Sequence, residues 1–192
     1  MTRTTETLPS DYFEDKYKSD IDPWRFRTSG YEQEKYVATV AALTKPLYDM
    51  ALEAGCSIGV LSRLLAPRCA RLVAIDASAT AIAAAKASGP SNVSFEVQRL
   101  PEQFPAGRFD LIVLSEILYY FSRSDLMRVA AGCVEAIAPE GEILLCHWLG
   151  ETDYPLTGHE ASDLFAEHVV TKMPVRVIVR NDVYRLERFL AK

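Results

Sequence analysis

The chain has 192 residues, 49% of them hydrophobic and 24% charged, with a net charge of −5. That is the length and balance of one globular domain, and the negative charge argues against a nucleic-acid partner, which calls for a basic face. No run approaches the roughly 20 apolar residues of a membrane span, and residues 1–10 are polar and Thr-rich without an apolar signal core, so the expected location is cytoplasmic. In chain order, residues 11–43 form an aromatic-rich entry segment, Asp11-Tyr12-Phe13-Glu14-Asp15-Lys16-Tyr17 and then Asp22-Pro23-Trp24. It closes with a helix over 31–43, for which Ser29 is the N-cap and Glu32 completes a capping box. From residue 48 onward strands and helices alternate, the signature of parallel pairing through crossovers. Strands are predicted at 48–52, 71–76, 93–98, 109–115 and 141–148, and helices at 60–66, 79–87 and, capped by Ser124, 125–137. A helix over 161–168 precedes two strands, 175–180 and 184–190, and Asn181-Asp182 between them predicts an antiparallel hairpin. The expected fold is α/β, a doubly wound, seven-stranded, mostly parallel sheet ending in that hairpin, all in a single domain over residues 1–192 with 11–43 as its lid. The connections are too short for a second domain, so the entry segment and residues 149–158 must cover any substrate. Such a shallow cover suits an extended or bulky acceptor.

The most informative stretch is Leu52-Glu53-Ala54-Gly55-Cys56-Ser57-Ile58-Gly59, an apolar strand running into a glycine turn and then a helix. A second apolar strand ends on Asp76, about twenty residues past Gly55, where a carboxylate can accept from both hydroxyls of a ribose. Gly55 lets the backbone turn tightly beside a ligand, and Gly59 lets the helix start lie close to the sheet. The spacing is G-x-x-x-G, and Glu53 stands at the strand end. A pyrophosphate wants bare amides and a helix N-terminus, and a fixed carboxylate there repels it. A ligand with a ribose and a cationic amino-acid tail wants that carboxylate. S-adenosylmethionine, with S-adenosylhomocysteine as its product, is the cofactor that fits. A nicotinamide dinucleotide, which needs three glycines and a phosphate site, does not.

These strings resemble the class I S-adenosylmethionine-dependent methyltransferases over nearly the whole chain. Glu53-Ala54-Gly55-Cys56-Ser57-Ile58-Gly59 is similar to their first motif and Asp76-Ala77-Ser78 to their second. Arg108-Phe109-Asp110-Leu111-Ile112-Val113-Leu114-Ser115-Glu116 is similar to their fourth, and Ala138-Pro139-Glu140-Gly141-Glu142 to the turn before their fifth strand. Asp22-Pro23-Trp24, Tyr31-Glu32-x-x-Lys35 and Leu118-Tyr119-Tyr120 resemble the nodulation protein S group, which implies N-methylation of an amino-sugar nitrogen. O-methylation of a small metabolite, or a non-catalytic module that binds the cofactor, are the alternatives.

Ligands of such a sheet sit at the carboxyl ends of its central strands. That rule, with the resemblance, selects Glu53, Ala54, Gly55, Cys56, Gly59, Asp76 and Ala77 for the cofactor, joined by Ser115 after the fourth strand. After the third strand many relatives carry an Asp for the adenine amino group; here Gln98 offers a carbonyl oxygen and Leu100 an amide. Trp24 and Tyr31 either pack on the adenosine or plug the sheet edge, and Arg25, Arg27 and Lys35 either neutralise the methionine carboxylate or solvate the lid. Glu116 and His147 end neighbouring central strands and are the candidate catalytic bases. The alternatives are a carboxylate against a helix dipole and a structural histidine. Cys56, Cys69, Cys133 and Cys146 are too dispersed for a metal knuckle, and no metal is expected.

Overall fold

The computed structural model describes residues 3–170 and 172–192, with side chains left aside at 175–178; Met1 and Thr2 of the polar N-terminus lie outside the described residues. Seven strands run in the order β3-β2-β1-β4-β5-β7-β6, numbered along the chain. The chain divides into two compact units, Pro9–Arg99 and Leu100–Lys192, the second including the N-terminal residues up to Leu8.

In the unit Pro9–Arg99, β1 (Tyr48–Ala54), β2 (Cys69–Asp76) and β3 (Val93–Val97) pair in parallel. β1 is longer at its carboxyl end than its apolar run suggests and carries Glu53 inside the strand. Ala51, Leu52, Glu53 and Ala54 are buried on successive positions, as a strand covered on both faces requires. The crossovers are α3 (Val60–Leu65) and α4 (Ala79–Lys86); α4 starts at Ser78, whose hydroxyl accepts from the Ala81 amide at 3.1 Å, and it lays small Ala81 and Ala85 against the interior.

Two helices precede the sheet. α2 (Gly30–Ala41) has the expected Ser29 cap. The Glu32 carboxylate, expected to complete a capping box, is instead paired at 2.9 Å with fully buried Lys35. α1 (Ser10–Ser19) has no counterpart among the expected elements. It is a helix of nearly three turns with Asp11 in its first turn and Lys16 and Lys18 in its last, so its charges favourably offset the dipole. Tyr17 is its buried anchor and packs with Ile58 and Ala81, with Phe13 and Trp24 at the margin. The entry segment is thus held by a small apolar cluster of its own.

In the second unit β4 (Phe109–Ser115) pairs in parallel with β5 (Ile137–Trp148), and β7 (Tyr184–Leu190) runs antiparallel between β5 and β6 (Val175–Arg180). α5 (Arg123–Ala136) is capped by Ser122, whose hydroxyl takes the Asp125 amide at 3.2 Å, two residues before the expected Ser124. α6 (Gly158–Val169) begins three residues earlier than expected because Thr157 and Glu160 form a reciprocal capping box. The segment before α1 is tied in by Thr7, which donates to Asp125 at 2.5 Å and accepts from the Ser122 amide at 2.9 Å. All four cysteines are buried thiols, and among the described residues no His, Cys, Asp and Glu cluster could hold a metal ion. Among the same residues no helix is long and apolar enough to cross a membrane.

Candidate active site

The carboxyl ends of the three parallel strands of Pro9–Arg99 gather one polar acceptor each: Glu53 from β1, Asp76 from β2, and Gln98 just past β3. Between β1 and α3 the chain makes a tight turn with positive φ at Gly55 (78°), Ser57 (51°) and Gly59 (75°). The Gly55 and Cys56 amides both donate to the Ile75 carbonyl, at 2.8 and 2.9 Å, which ties the turn to the end of β2. Cys56 sends its side chain into the core against Phe95, Ala74, Ile82 and Ala85, so only its backbone faces the turn; burial pushes its thiol pKa well above the ordinary value. Gly59 has no room for a side chain. A Cβ there would lie 3.0 Å from the Phe95 ring and 3.2 Å from the Ala85 methyl, at a φ that L-residues rarely adopt. Gly59→Ala should therefore destabilise the fold by about 1–3 kcal/mol, read as a lower denaturant midpoint. An unchanged midpoint would contradict this account of the turn.

Asp76 is half-buried, and each of its oxygens is held by one amide: Oδ2 by Ser57 and Oδ1 by Ser78, both at 2.9 Å. Desolvation raises its pKa, opposed by these amides, which favour the charged form. Glu53 is buried more deeply, at 2% exposure, and its Oε2 has no hydrogen-bond partner. Loss of solvent pushes its pKa to about 8; the Ser62 hydroxyl works in the opposite sense, Asp76 repels the charge, and Arg63 favours it. A carboxyl buried in this way favours its neutral form until a cationic partner reaches it. At Gln98 the Nε2 donates to Glu96 at 3.0 Å, leaving the buried Oε1 as an acceptor with no partner. Two unsatisfied acceptors thus flank a held carboxylate across three strands, spaced about 5 Å apart.

Other expected members of this half fare differently. Ala54 is buried at the end of β1, and Ala77 is half-buried beside Asp76. Trp24 is half-buried, edge-on to Tyr17 at 5.5 Å and stacked on Phe26 at 5.7 Å. Asp22 organises that turn by accepting from the Phe26 and Arg27 amides at 2.7 and 3.1 Å. Tyr31 lies under the Lys35 ammonium, 4.9 Å from its ring centre. Lys35 and Arg25, offered above for a ligand carboxylate, are ion-paired with Glu32 at 2.9 Å and Asp20 at 3.1 Å.

In the second unit, Leu100 is buried at its start and Ser115 is half-buried at the end of β4. Glu116 follows in a left-handed conformation, φ 60°, with its amide donating to the Cys146 carbonyl at 2.8 Å. Its Oε2 accepts from the Tyr119 hydroxyl at 2.7 Å and from the Trp148 amide at 3.0 Å. Glu116 thus combines a backbone state that L-residues rarely adopt with a carboxylate oriented by two donors. His147 differs from expectation. It is fully buried, and its Nε2 accepts the Leu118 amide at 3.2 Å, while Tyr119 lies edge-on to the ring at 5.7 Å. A base that must take a proton from an acceptor needs that lone pair exposed, and here the imidazole holds the short turn Leu118–Tyr120 instead. Tyr154, which sequence reasoning passed over, stacks on Tyr119 at 5.5 Å and meets Tyr120 edge-on at 4.7 Å, building a three-tyrosine cluster beside Glu116.

Known proteins give this arrangement its context. The family model of Nodulation protein S (NodS) matches residues 10–149. Nodulation protein S of Bradyrhizobium diazoefficiens is 35% identical over 131 residues, covering 64% of this chain and 61% of that protein. The Rhizobium tropici protein is 32% identical over 127 residues, covering 64% and 53%. The chain therefore aligns with between half and two thirds of these relatives' length. Among solved structures, a candidate methyltransferase from Pseudomonas syringae superposes with a TM-score of 0.72 at 32% identity, covering 84% of this chain and 99% of that one. The N-methyltransferase NodS from Bradyrhizobium japonicum WM9 in complex with S-adenosyl-L-homocysteine superposes at 0.73, with 20% identity over 93% and 97%. The sheet order and the likeness to these structures make the fold that of a Rossmann-like methyltransferase, and the chain belongs to the nodulation protein S family.

Proposed function

We propose that this chain is an S-adenosylmethionine-dependent methyltransferase that methylates an amine nitrogen, with an amino sugar or glycoconjugate as the acceptor class, working in the cytoplasm. The observation that carries the reading is the row of acceptors across β1, β2 and β3. A ligand with an ammonium group, a ribose diol and an adenine amino group presents three sets of donors in the same order as Glu53, Asp76 and Gln98. The two acceptors without partners, Glu53 Oε2 and Gln98 Oε1, stand at the two ends of that row. The turn through Gly55 and Gly59, tied by its amides to the end of β2, puts backbone beside the row, with Ala54 and Cys56 packed beneath it and Ala77 next to Asp76. Trp24 and Tyr31 supply apolar surface for the adenosine. Relatives bearing the name N-methyltransferase support nitrogen as the site of transfer.

When bound, S-adenosylmethionine supplies an electrophilic methyl on a sulfonium. The chain has to align a neutral amine behind that methyl and dispose of one proton. Glu116 suits the second task, since Tyr119 and Trp148 hold its carboxylate in one orientation. His147 acts at one remove, keeping the turn that carries Tyr119 in place. Incubation with the methyl donor and a panel of amines, read as a mass gain of one methyl group on amino-sugar oligomers, tests the reaction. Calorimetry tests the cofactor site: Asp76→Asn removes charge from the diol acceptor and should weaken S-adenosylhomocysteine binding about 10- to 100-fold. Normal affinity in that variant would remove Asp76 from the site.

A further inference from the structure

We infer that Glu14 and Tyr17 of α1 are positioning residues for the ribose-binding carboxylate, acting on Asp76 from behind through two serines. This rests on the cofactor reading above. Asp76 is held by two amides, those of Ser57 and Ser78, and each of these serines is itself gripped from α1. The Tyr17 hydroxyl donates to Ser57 Oγ at 2.5 Å. The Ser78 hydroxyl donates to Glu14 Oε2 at 2.7 Å, and Thr80 adds its hydroxyl at 2.6 Å and its amide at 3.2 Å to the same carboxylate.

Glu14 and Tyr17 are three residues apart on one helix, so they project from the same face. That face reaches both turns that meet at Asp76: the glycine turn after β1 and the start of α4 after β2. Ser57 sits at φ 51°, a backbone state that an L-residue leaves readily unless it is held. The Tyr17 bond is buried and anchored by packing on Ile58 and Ala81. The Glu14 carboxylate is charged throughout the neutral range, because hydrogen bonds from Thr80 and Ser78 lower its pKa from 4.5 to about 2. The brace is therefore complete above pH 4.5 and is lost only as the pH falls through about 2.

The consequence is a coupling between a helix that sequence patterning passes over and the affinity for a ribose diol. Neither Glu14 nor Tyr17 need touch the ligand. Their worth lies in fixing where Asp76 points before the ligand arrives, which lowers the ordering that binding has to do.

Titration calorimetry with S-adenosylhomocysteine tests this in a double-mutant cycle. Tyr17→Phe and Glu14→Gln should each weaken binding about 3- to 10-fold in the parent chain, the effect of one or two lost hydrogen bonds. In an Asp76→Asn background the same changes should cost less than about 2-fold, because the group they position is already compromised. Ser57→Ala removes the Tyr17 bond from the other side and should match Tyr17→Phe, with the double variant no weaker than either. Equal losses in both backgrounds would mean that α1 affects binding independently of Asp76, and no loss in the parent would mean that it does not affect binding at all; either result overturns the inference. Failure of the parent chain to bind S-adenosylhomocysteine would defeat the cofactor reading in the first titration and this inference with it.

Discussion

The affinity of this chain for S-adenosylhomocysteine should rise about tenfold per pH unit from pH 6 and level off near pH 8, with one proton released for each ligand bound. The reason is Glu53. Burial raises its pKa to about 8, so at neutral pH the ligand-free protein holds it protonated. The ammonium of an incoming amino acid favours the carboxylate, so binding ionises the group and frees its proton. Calorimetry in buffers of different ionisation enthalpy counts that proton directly. Glu53→Gln, which keeps the shape and cannot ionise, should abolish the slope and the proton. The same group makes a stability prediction of definite sign. A carboxyl whose folded pKa lies above its unfolded value contributes full stability below pH 4.5, and that contribution falls as pH rises through the window up to about 8. Over that window the loss is on the order of 5 kcal/mol for a single group. Glu53→Gln should accordingly be more stable than the parent at pH 8 and bind ligand more weakly. A parent chain whose affinity and stability are both flat with pH would show that Glu53 is ionised all along.

Glu116→Gln should lower turnover by roughly 10²-fold or more while leaving S-adenosylhomocysteine affinity within a few fold. An amine is mostly protonated in solution, and only its neutral form has the lone pair that attacks the methyl. A carboxylate pinned by the Tyr119 hydroxyl and the Trp148 amide can hold that amine and take its proton. The glutamine keeps the shape of the side chain and removes the charge. Its rate should therefore recover in part at high pH, where the amine arrives already neutral. His147→Ala is the informative comparison. It removes the acceptor for the Leu118 amide and loosens the turn beneath Tyr119, so its cost should not be relieved by raising the pH. If Glu116→Gln turns over normally, transfer proceeds by alignment alone, and the strained backbone at this residue needs another explanation.

The row of acceptors at the ends of β1, β2 and β3 was legible in the sequence because its pattern is local. A glycine turn between an apolar strand and a helix, with a carboxylate ending the next strand, can be recognised from spacing, since parallel pairing brings consecutive strand ends together. Gln98 could be named on the same ground, as the polar residue that follows β3. The sheet and its closing hairpin were readable from apolar runs and from Asn181-Asp182; the departures lie at element ends, β1 and β5 being longer than expected and α5 and α6 starting earlier. Caps at Ser122 and Thr157 compete with neighbouring Ser and Gly positions that local pattern alone does not rank.

What only the tertiary structure decided is which polar groups are already engaged. Sequence places Glu116 and His147 alike, at the ends of adjacent strands. Folding separates their roles by burying one and giving its lone pair to an amide, while two donors orient the other. In the chain Lys35 looks like a lid charge and Glu32 like half of a capping box, but helical spacing turns them into a buried pair. The grip of α1 on Ser57 and Ser78, across separations of 40 and 64 residues, has no local signature. Long-range hydrogen bonds are set by packing, because the geometry that makes them exists only once the helix has found its apolar seat on Ile58 and Ala81.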